Sequence, residues 1–282
     1  MPLYDVTLDD VGETTQLHVV ERGAGDSILL VHGWPTGAAI WHHQLEALSA
    51  EHRVLAVDLP GFGSSPPIRE PTVAAFALAV KGFIDVAELS NVFLIGWSMG
   101  AGTVMSYCEQ FGGHGLRALG IVDDCPCLLP SRGWELGVDT TFSPEGVDEW
   151  RARWADDRRS VITELTAMEL KDPSRHRAEL AWMVEESMKA EPDGAIAALM
   201  DAFGCDFREG LARVPVPTLL LYGAASQMTT PANREFMERT IPDATLVVFD
   251  ESAHTLMVEE PEKFNRVVDE FARATATPPR RS

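Results

Sequence analysis

The sequence predicts an α/β fold in which a mostly parallel, eight-stranded sheet is covered by helices on both faces. Three observations predict it. Short, wholly apolar runs such as SILLVHG (27–33), NVFLIGW (91–97) and PTLLLYG (217–223) are what strands buried on both faces require. Helical periodicity fills the segments between them, and that alternation is the pattern of parallel βαβ units. At 282 residues, 45% of them apolar, the chain is long enough for a large core.

Taken in order, LYDVTL (3–8) and QLHVVERG (16–23) form an antiparallel opening pair around a turn at Gly12. SILLVHG follows, then a helical pattern through 40–50 and the strand RVLAVDLPG (53–61). Residues 72–88 read as a helix behind the N-cap candidate Thr72. NVFLIGW runs straight into a helix over 99–111. LRALGIVDD (116–124), PTLLLYG and ATLVVFD (244–250) complete the sheet, with helices at 231–240 and 261–274.

One interval breaks the rhythm. From 130 to 212 there are helical patterns (EGVDEWRARWADDRRSVITELTAMEL, RHRAELAWMVEESM) but no convincing strand. The chain therefore divides into a core (1–129 and 213–275), a helical cap (130–212) and a Pro-rich, charged tail (276–282) expected to be disordered. The cap is rich in Trp and Met, and ligand sites favour such junctions. Trp134, Trp154, Trp182 and Met183 of the cap, with Trp97 of the core, are the candidates for lining an apolar substrate pocket.

With 23 Lys+Arg against 43 Asp+Glu the formal charge is −20, which disfavours nucleic acid and anionic membranes as partners. The start, MPLYDVTLDD, has no basic and apolar leader pattern, and no apolar run approaches the roughly 18 residues of a membrane span. A soluble cytoplasmic protein, monomer or homodimer, is expected. The four cysteines include a single C-x-C pair without a second cluster, a poor zinc signal. No metal-ligand cluster and no phosphate-binding loop is visible, so no metal and no organic cofactor is expected.

Three stretches carry chemistry. Gly96-Trp97-Ser98-Met99-Gly100 fits G-x-S-x-G between a buried strand and a helix, the context of a nucleophile elbow. The serine must sit on a strained turn, and the glycines two positions either side leave it room. Val31-His32-Gly33-Trp34-Pro35 ends the third strand, where a backbone N–H can be aimed at the serine's reaction centre. The oxyanion donors would be the amides of Trp34 and Met99, while His32 holds the loop. Ser252-Ala253-His254 follows the last strand, at the end of the sheet where sites cluster. His254 is the candidate general base for Ser98.

On HGWP, DLPGFGSS (58–65), GWSMG, the helical interval and FDESAHTLMVEEPEKFN, the chain resembles the α/β-hydrolase superfamily, in its capped branch with an H-G-x-P oxyanion loop. The resemblance covers nearly the whole chain. It implies the α/β-hydrolase fold, with a cap inserted after strand 6, and serine-hydrolase chemistry on an apolar ester or lactone through an acyl-enzyme. It does not choose the substrate, because the fold hosts many chemistries. Two alternatives stay open: a cofactor-free ring-cleaving dioxygenase using a His/Asp pair, and a non-hydrolytic ligand-binding or cyclising member of the fold.

Most members carry the third triad residue, an acid, after the seventh strand in a G-x-x-D pattern. Here that alignment on Gly223 puts Ser226 at the acid position. Glu235 lies too far along, and Asp250 and Glu251 lie too near His254 in sequence. The remaining loop on that side, Ile121-Val122-Asp123-Asp124-Cys125-Pro126, follows strand 6, where some members place the acid. Asp123 is therefore the expected acid, with Asp124 as the alternative. Replacing Ser226 by alanine is expected to be nearly silent.

Overall fold

The structure, a computed structural model, describes residues 3–8, 13–129, 134–137 and 144–276, with side chains of the helix over 144–168 from Trp150 onward. Eight strands form one sheet: β1 Leu3–Thr7, β2 Thr14–Arg22, β3 Ser27–Val31, β4 Arg53–Val57, β5 Val92–Trp97, β6 Leu116–Val122, β7 Thr218–Gly223 and β8 Ala244–Phe249. Their order is β1-β2-β4-β3-β5-β6-β7-β8. β1 and β2 pair antiparallel, as do β2 and β4; every other neighbour is parallel.

β3, β5 and β7 are buried at every position, because helices cover both faces. Strand alternation splits β5 between two cores. Val92 and Leu94 pack with the helices α2 (Val73–Val86) and α3 (Met99–Phe111). Phe93, Ile95 and Trp97 face the opposite layer, which contains α1 (His42–Ala47), the short α8 (Leu256–Glu259) and α9 (Pro261–Ala274). Thr72 caps α2 by accepting from the Ala75 amide at 3.1 Å. The helical pattern at 40–50 is realised in pieces, with single 3₁₀ turns flanking α1.

Between β6 and β7 lie α4 (Pro144–Met168), α5 (Arg177–Ser187) and α6 (Pro192–Gly204). α4 is kinked at Asp157, where φ −143° and ψ 79° interrupt the helix. The tail beyond 276 and residues 130–133 and 138–143 of the insertion lie outside the described residues. α7 (Pro231–Thr240) starts with a reciprocal cap between Thr230 and Asn233. Among the described residues no helix is long and apolar enough to cross a membrane.

Candidate active site

Ser98 joins β5 to α3 with φ 53° and ψ −122°, a left-handed backbone that costs a non-glycine residue roughly 1–3 kcal/mol. The turn is held by Ser98 N–H donating to Val122 O at 3.0 Å and by Ser98 O accepting from Ala101 N–H at 2.7 Å. The flanking glycines are steric necessities. A Cβ at Gly96 would lie 2.1 Å from Gly100 O, and one at Gly100 would lie 2.4 Å from Val31 O.

The loop after β3 is packed onto this elbow: a Cβ at Gly33 would come 2.9 Å from the Ser98 Cβ. Trp34 and Met99 both face the cavity that contains Ser98, and among the described residues neither amide donates to a backbone carbonyl. His32 is fully buried, with Nδ1 donating to Gly33 O at 2.9 Å and Nε2 accepting from Leu59 N–H at 3.0 Å. Burial pushes its pKa down, so it is neutral and serves as a brace between the loops. Asp58 anchors the same region by accepting from Ala38 N–H (2.5 Å), Ser64 N–H (2.9 Å) and His18 Nδ1 (2.8 Å).

His254 follows β8 and is buried, with Nδ1 2.7 Å from Asp123 Oδ2. Its backbone is tied from two sides. Trp97 Nε1 donates to His254 O at 2.9 Å, and His254 N–H donates to Glu169 O at 2.9 Å. Burial opposes protonation of the imidazole, but the hydrogen bond and charge of Asp123, then Glu169 and Asp124, outweigh it and hold the pKa above the ordinary 6.5.

Asp123 directly follows β6 at φ 46°, a conformation aspartate tolerates better than most residues. The loop after β7 wraps its carboxylate. Ser226 Oγ donates to Oδ2 at 2.5 Å, Thr229 Oγ1 donates to Oδ1 at 3.1 Å, and Gly223 N–H approaches Oδ1 at 3.4 Å. Arg234, itself buried, fixes that loop through Gly223 O at 2.8 Å. Ser226, expected from the sequence to be a nearly silent position, thus has its hydroxyl bonded to the carboxylate of the residue that directly follows β6. Asp124 is not the imidazole's partner. Its Oδ1 accepts from the Cys125 amide at 2.8 Å, its carbonyl accepts from Tyr222 OH at 3.0 Å, and burial raises its pKa to about 7.

Ser98, His254, Asp124, Glu169 and Ser226 share a cavity of about 480 Å³ with apolar walls that include Trp34, Trp150, Leu165, Met168, Leu199 and Phe203. That volume falls in the range of small-molecule sites. Trp97, Trp134, Trp154, Trp182 and Met183, the residues expected to line it, are not among the described lining residues. Each is spent elsewhere. Trp97 and Met183 are fully buried in the α1/α9-side core. Trp134 donates to Cys127 O at 2.9 Å, Trp154 packs on Trp34 at 5.1 Å, and Trp182 packs edge-on to His42 at 4.8 Å. Sequence reasoning missed Glu169, Ser226 and Thr229 because their roles depend on which loops meet. For Asp58 a local signal existed, the D-L-P-G-F-G run that makes its tight turn.

Fold and site define an α/β-hydrolase-fold enzyme, and residues 28–267 match the model of the "Alpha/beta hydrolase family". The chain belongs to that family. It is 28% identical over 261 residues to a pimeloyl-[acyl-carrier protein] methyl ester esterase of Aeromonas hydrophila subsp. hydrophila, covering 89% of this chain and 98% of that one. Among solved structures, an esterase from Exiguobacterium antarcticum superposes with TM-score 0.87 at 25% identity, over 95% of this chain and 98% of the other. The enol-lactonase from Burkholderia xenovorans shares the fold at TM-score 0.82 and 20% identity, over 96% and 99%. The chain is a hydrolase of ester bonds.

Proposed function

We propose that the protein is a serine esterase that cleaves medium-chain or aromatic esters, or lactones, under a cap formed by 130–212 over a core of 1–129 and 213–275. The observation that carries this reading is the buried pair His254 Nδ1···Asp123 Oδ2 at 2.7 Å, in the cavity that Ser98 enters from a strained elbow. Asp123 holds the imidazole proton on Nδ1, which leaves Nε2 free to take the Ser98 proton as Oγ attacks the carbonyl. The amides of Trp34 and Met99 receive the developing oxyanion, each worth about 3 kcal/mol in the transition state. Imidazolium then protonates the leaving alcohol, and water cleaves the acyl-enzyme by the same route reversed. The apolar walls built by Trp150, Leu165, Met168 and Leu199 favour acyl or alkyl groups longer than acetyl.

A nitrophenyl-ester panel of increasing chain length tests this on the wild type and Ser98→Ala. Turnover should fall to background in the variant and rise from acetate to hexanoate in the wild type. Equal turnover by both proteins sinks the mechanism, and a strict acetate preference sinks the substrate assignment. A second reading draws support from the position of the acid after β6: in it the His254–Asp123 pair deprotonates an aromatic hydroxyl ahead of cofactor-free ring cleavage. Oxygen uptake with a 3-hydroxy-4-quinolone, retained in Ser98→Ala, would favour it.

A further inference from the structure

Ester hydrolysis by Ser98, His254 and Asp123 leaves two carboxyls of the cavity unused. Glu169 and Asp124 both line it, and no Lys or Arg is among the described lining residues. Asp124 is satisfied by the Cys125 amide. Glu169 is different. Its main chain is fully engaged, with its carbonyl accepting from the His254 amide at 2.9 Å, the Thr255 amide at 3.2 Å and Thr255 Oγ1 at 3.2 Å. Among the described residues, no hydrogen bond or ion pair reaches its side-chain carboxyl. That carboxyl is rooted one peptide hydrogen bond from the catalytic imidazole and opens on the cavity.

Glu169 is half-buried, and at the cavity wall its carboxyl has no donor from the described residues to meet it, so it is open to a ligand's donor. Polar groups left open in the wall of an apolar cavity are those that orient a ligand. Burial pushes Glu169 up to about 7, with His254 pulling the other way, so it is ionised in mildly alkaline solution. An anionic wall without a compensating cation repels a second anion more strongly there than in water.

We infer, resting on the ester-hydrolase reading above, that Glu169 selects the substrate: the preferred ester carries a hydrogen-bond donor, ammonium or hydroxyl, close to the scissile carbonyl, and esters bearing a carboxylate there are excluded. The closeness follows from the anchoring of Glu169 on the His254 backbone. The apolar walls contributed by the cap helices take the remainder of the molecule.

Four hexyl esters of the form RO–CO–CH2–CH2–X test this, with X as ammonium (β-alanine), hydroxyl, methyl (butanoate) or carboxylate (succinate monoester). kcat/KM is measured by pH-stat at pH 8 on wild type and Glu169→Gln. In the wild type the ammonium and hydroxyl esters should exceed the butanoate, the ammonium ester by about tenfold or more, as a charge-assisted hydrogen bond implies. The succinate should fall well below it. In Glu169→Gln the ammonium-to-methyl ratio should collapse towards one and the carboxylate-to-methyl ratio should rise. Because each readout is a ratio within one protein, a general loss of activity does not move it. Equal rates for butanoate and succinate in the wild type overturn the proposal without any variant, and so do ratios unchanged by Glu169→Gln. Hexyl butanoate hydrolysis that survives Ser98→Ala overturns instead the esterase mechanism, and no turnover of any of the four overturns both.

Discussion

Replacing Asp123 by asparagine changes one atom and should cost about four orders of magnitude in kcat. The carboxylate meets donors on both oxygens: His254 Nδ1 and Ser226 Oγ at Oδ2, Thr229 Oγ1 and Gly223 N–H at Oδ1. Asparagine offers one acceptor oxygen and one NH2 group. With its NH2 towards Gly223, two N–H groups oppose each other, and a backbone amide cannot turn away. With its NH2 towards His254, the hydroxyl of Ser226 can rotate to suit, but imidazole Nδ1 must become an acceptor. The ring proton then sits on Nε2, the nitrogen that takes the Ser98 proton in the proposed mechanism. The second orientation satisfies more of the protein and disables the base. Loss of the orienting acid costs ~10⁴ in kcat, about 5.4 kcal/mol of barrier. The pH profile gives a second readout. In the proposed mechanism His254 is neutral when it acts, so the rate should rise with pH through its pKa, which lies above 6.5 in the wild type because the hydrogen bond and charge of Asp123, with Glu169 and Asp124, outweigh burial. In Asp123→Asn that limb moves to lower pH. Steady-state kinetics on a nitrophenyl hexanoate, with circular dichroism to show an intact fold, measures both. Activity within tenfold of wild type, or a crippled Asp124→Asn beside a healthy Asp123→Asn, would refute the reasoning.

Ser226→Ala removes a donor from the same carboxylate and should lower kcat roughly tenfold, at the lower end for a hydrogen bond to a charged group. An unchanged rate contradicts this. Gly100→Ala would force a Cβ to 2.4 Å from Val31 O and should destabilise the fold by roughly 1–3 kcal/mol, whereas at Gly102 the nearest contact is 3.7 Å and alanine should be neutral or stabilising in α3. Thermal melting of the pair decides it, and equal losses would be the contrary result. Glu169→Gln should raise the melting temperature at pH 8 and leave it nearly unchanged at pH 5. The sign follows from a folded-state pKa lifted from 4.5 to about 7: the carboxyl's contribution is full while protonated and declines as pH rises through that window. A gain larger at pH 5 than at pH 8 contradicts it.

What the sequence made legible was whatever is local. Runs such as SILLV and TLLLYG are apolar at every position because both faces are covered, so their strands end within a residue or two of where the pattern ends. The G-x-S-x-G turn announces itself because backbone atoms crowd both glycines. The meeting of Asp123 with His254 could be reached by elimination, since few loops approach that end of the sheet. The wall of the cavity could not. Tryptophan serves equally as core filler, loop brace and ligand surface, and composition carries no facing: Trp97 lies beside Ser98 in sequence yet turns into the opposite layer to hold His254 O. Ser226 looked empty because its value is set by a carboxylate 103 residues away.

The two amides of His254 and Thr255 that end on Glu169 O turn the His254 loop, the base loop of the proposed mechanism, into a strain gauge for the insertion. If the end of α4 opens, the base loop loses both bonds while the sheet remains whole. Loss of catalysis on heating then reports a local event, the release of a cooperative unit smaller than the protein, and precedes the global melting of the strands. Stiffening the turn that carries Glu169 would then extend working life at elevated temperature without touching the sheet.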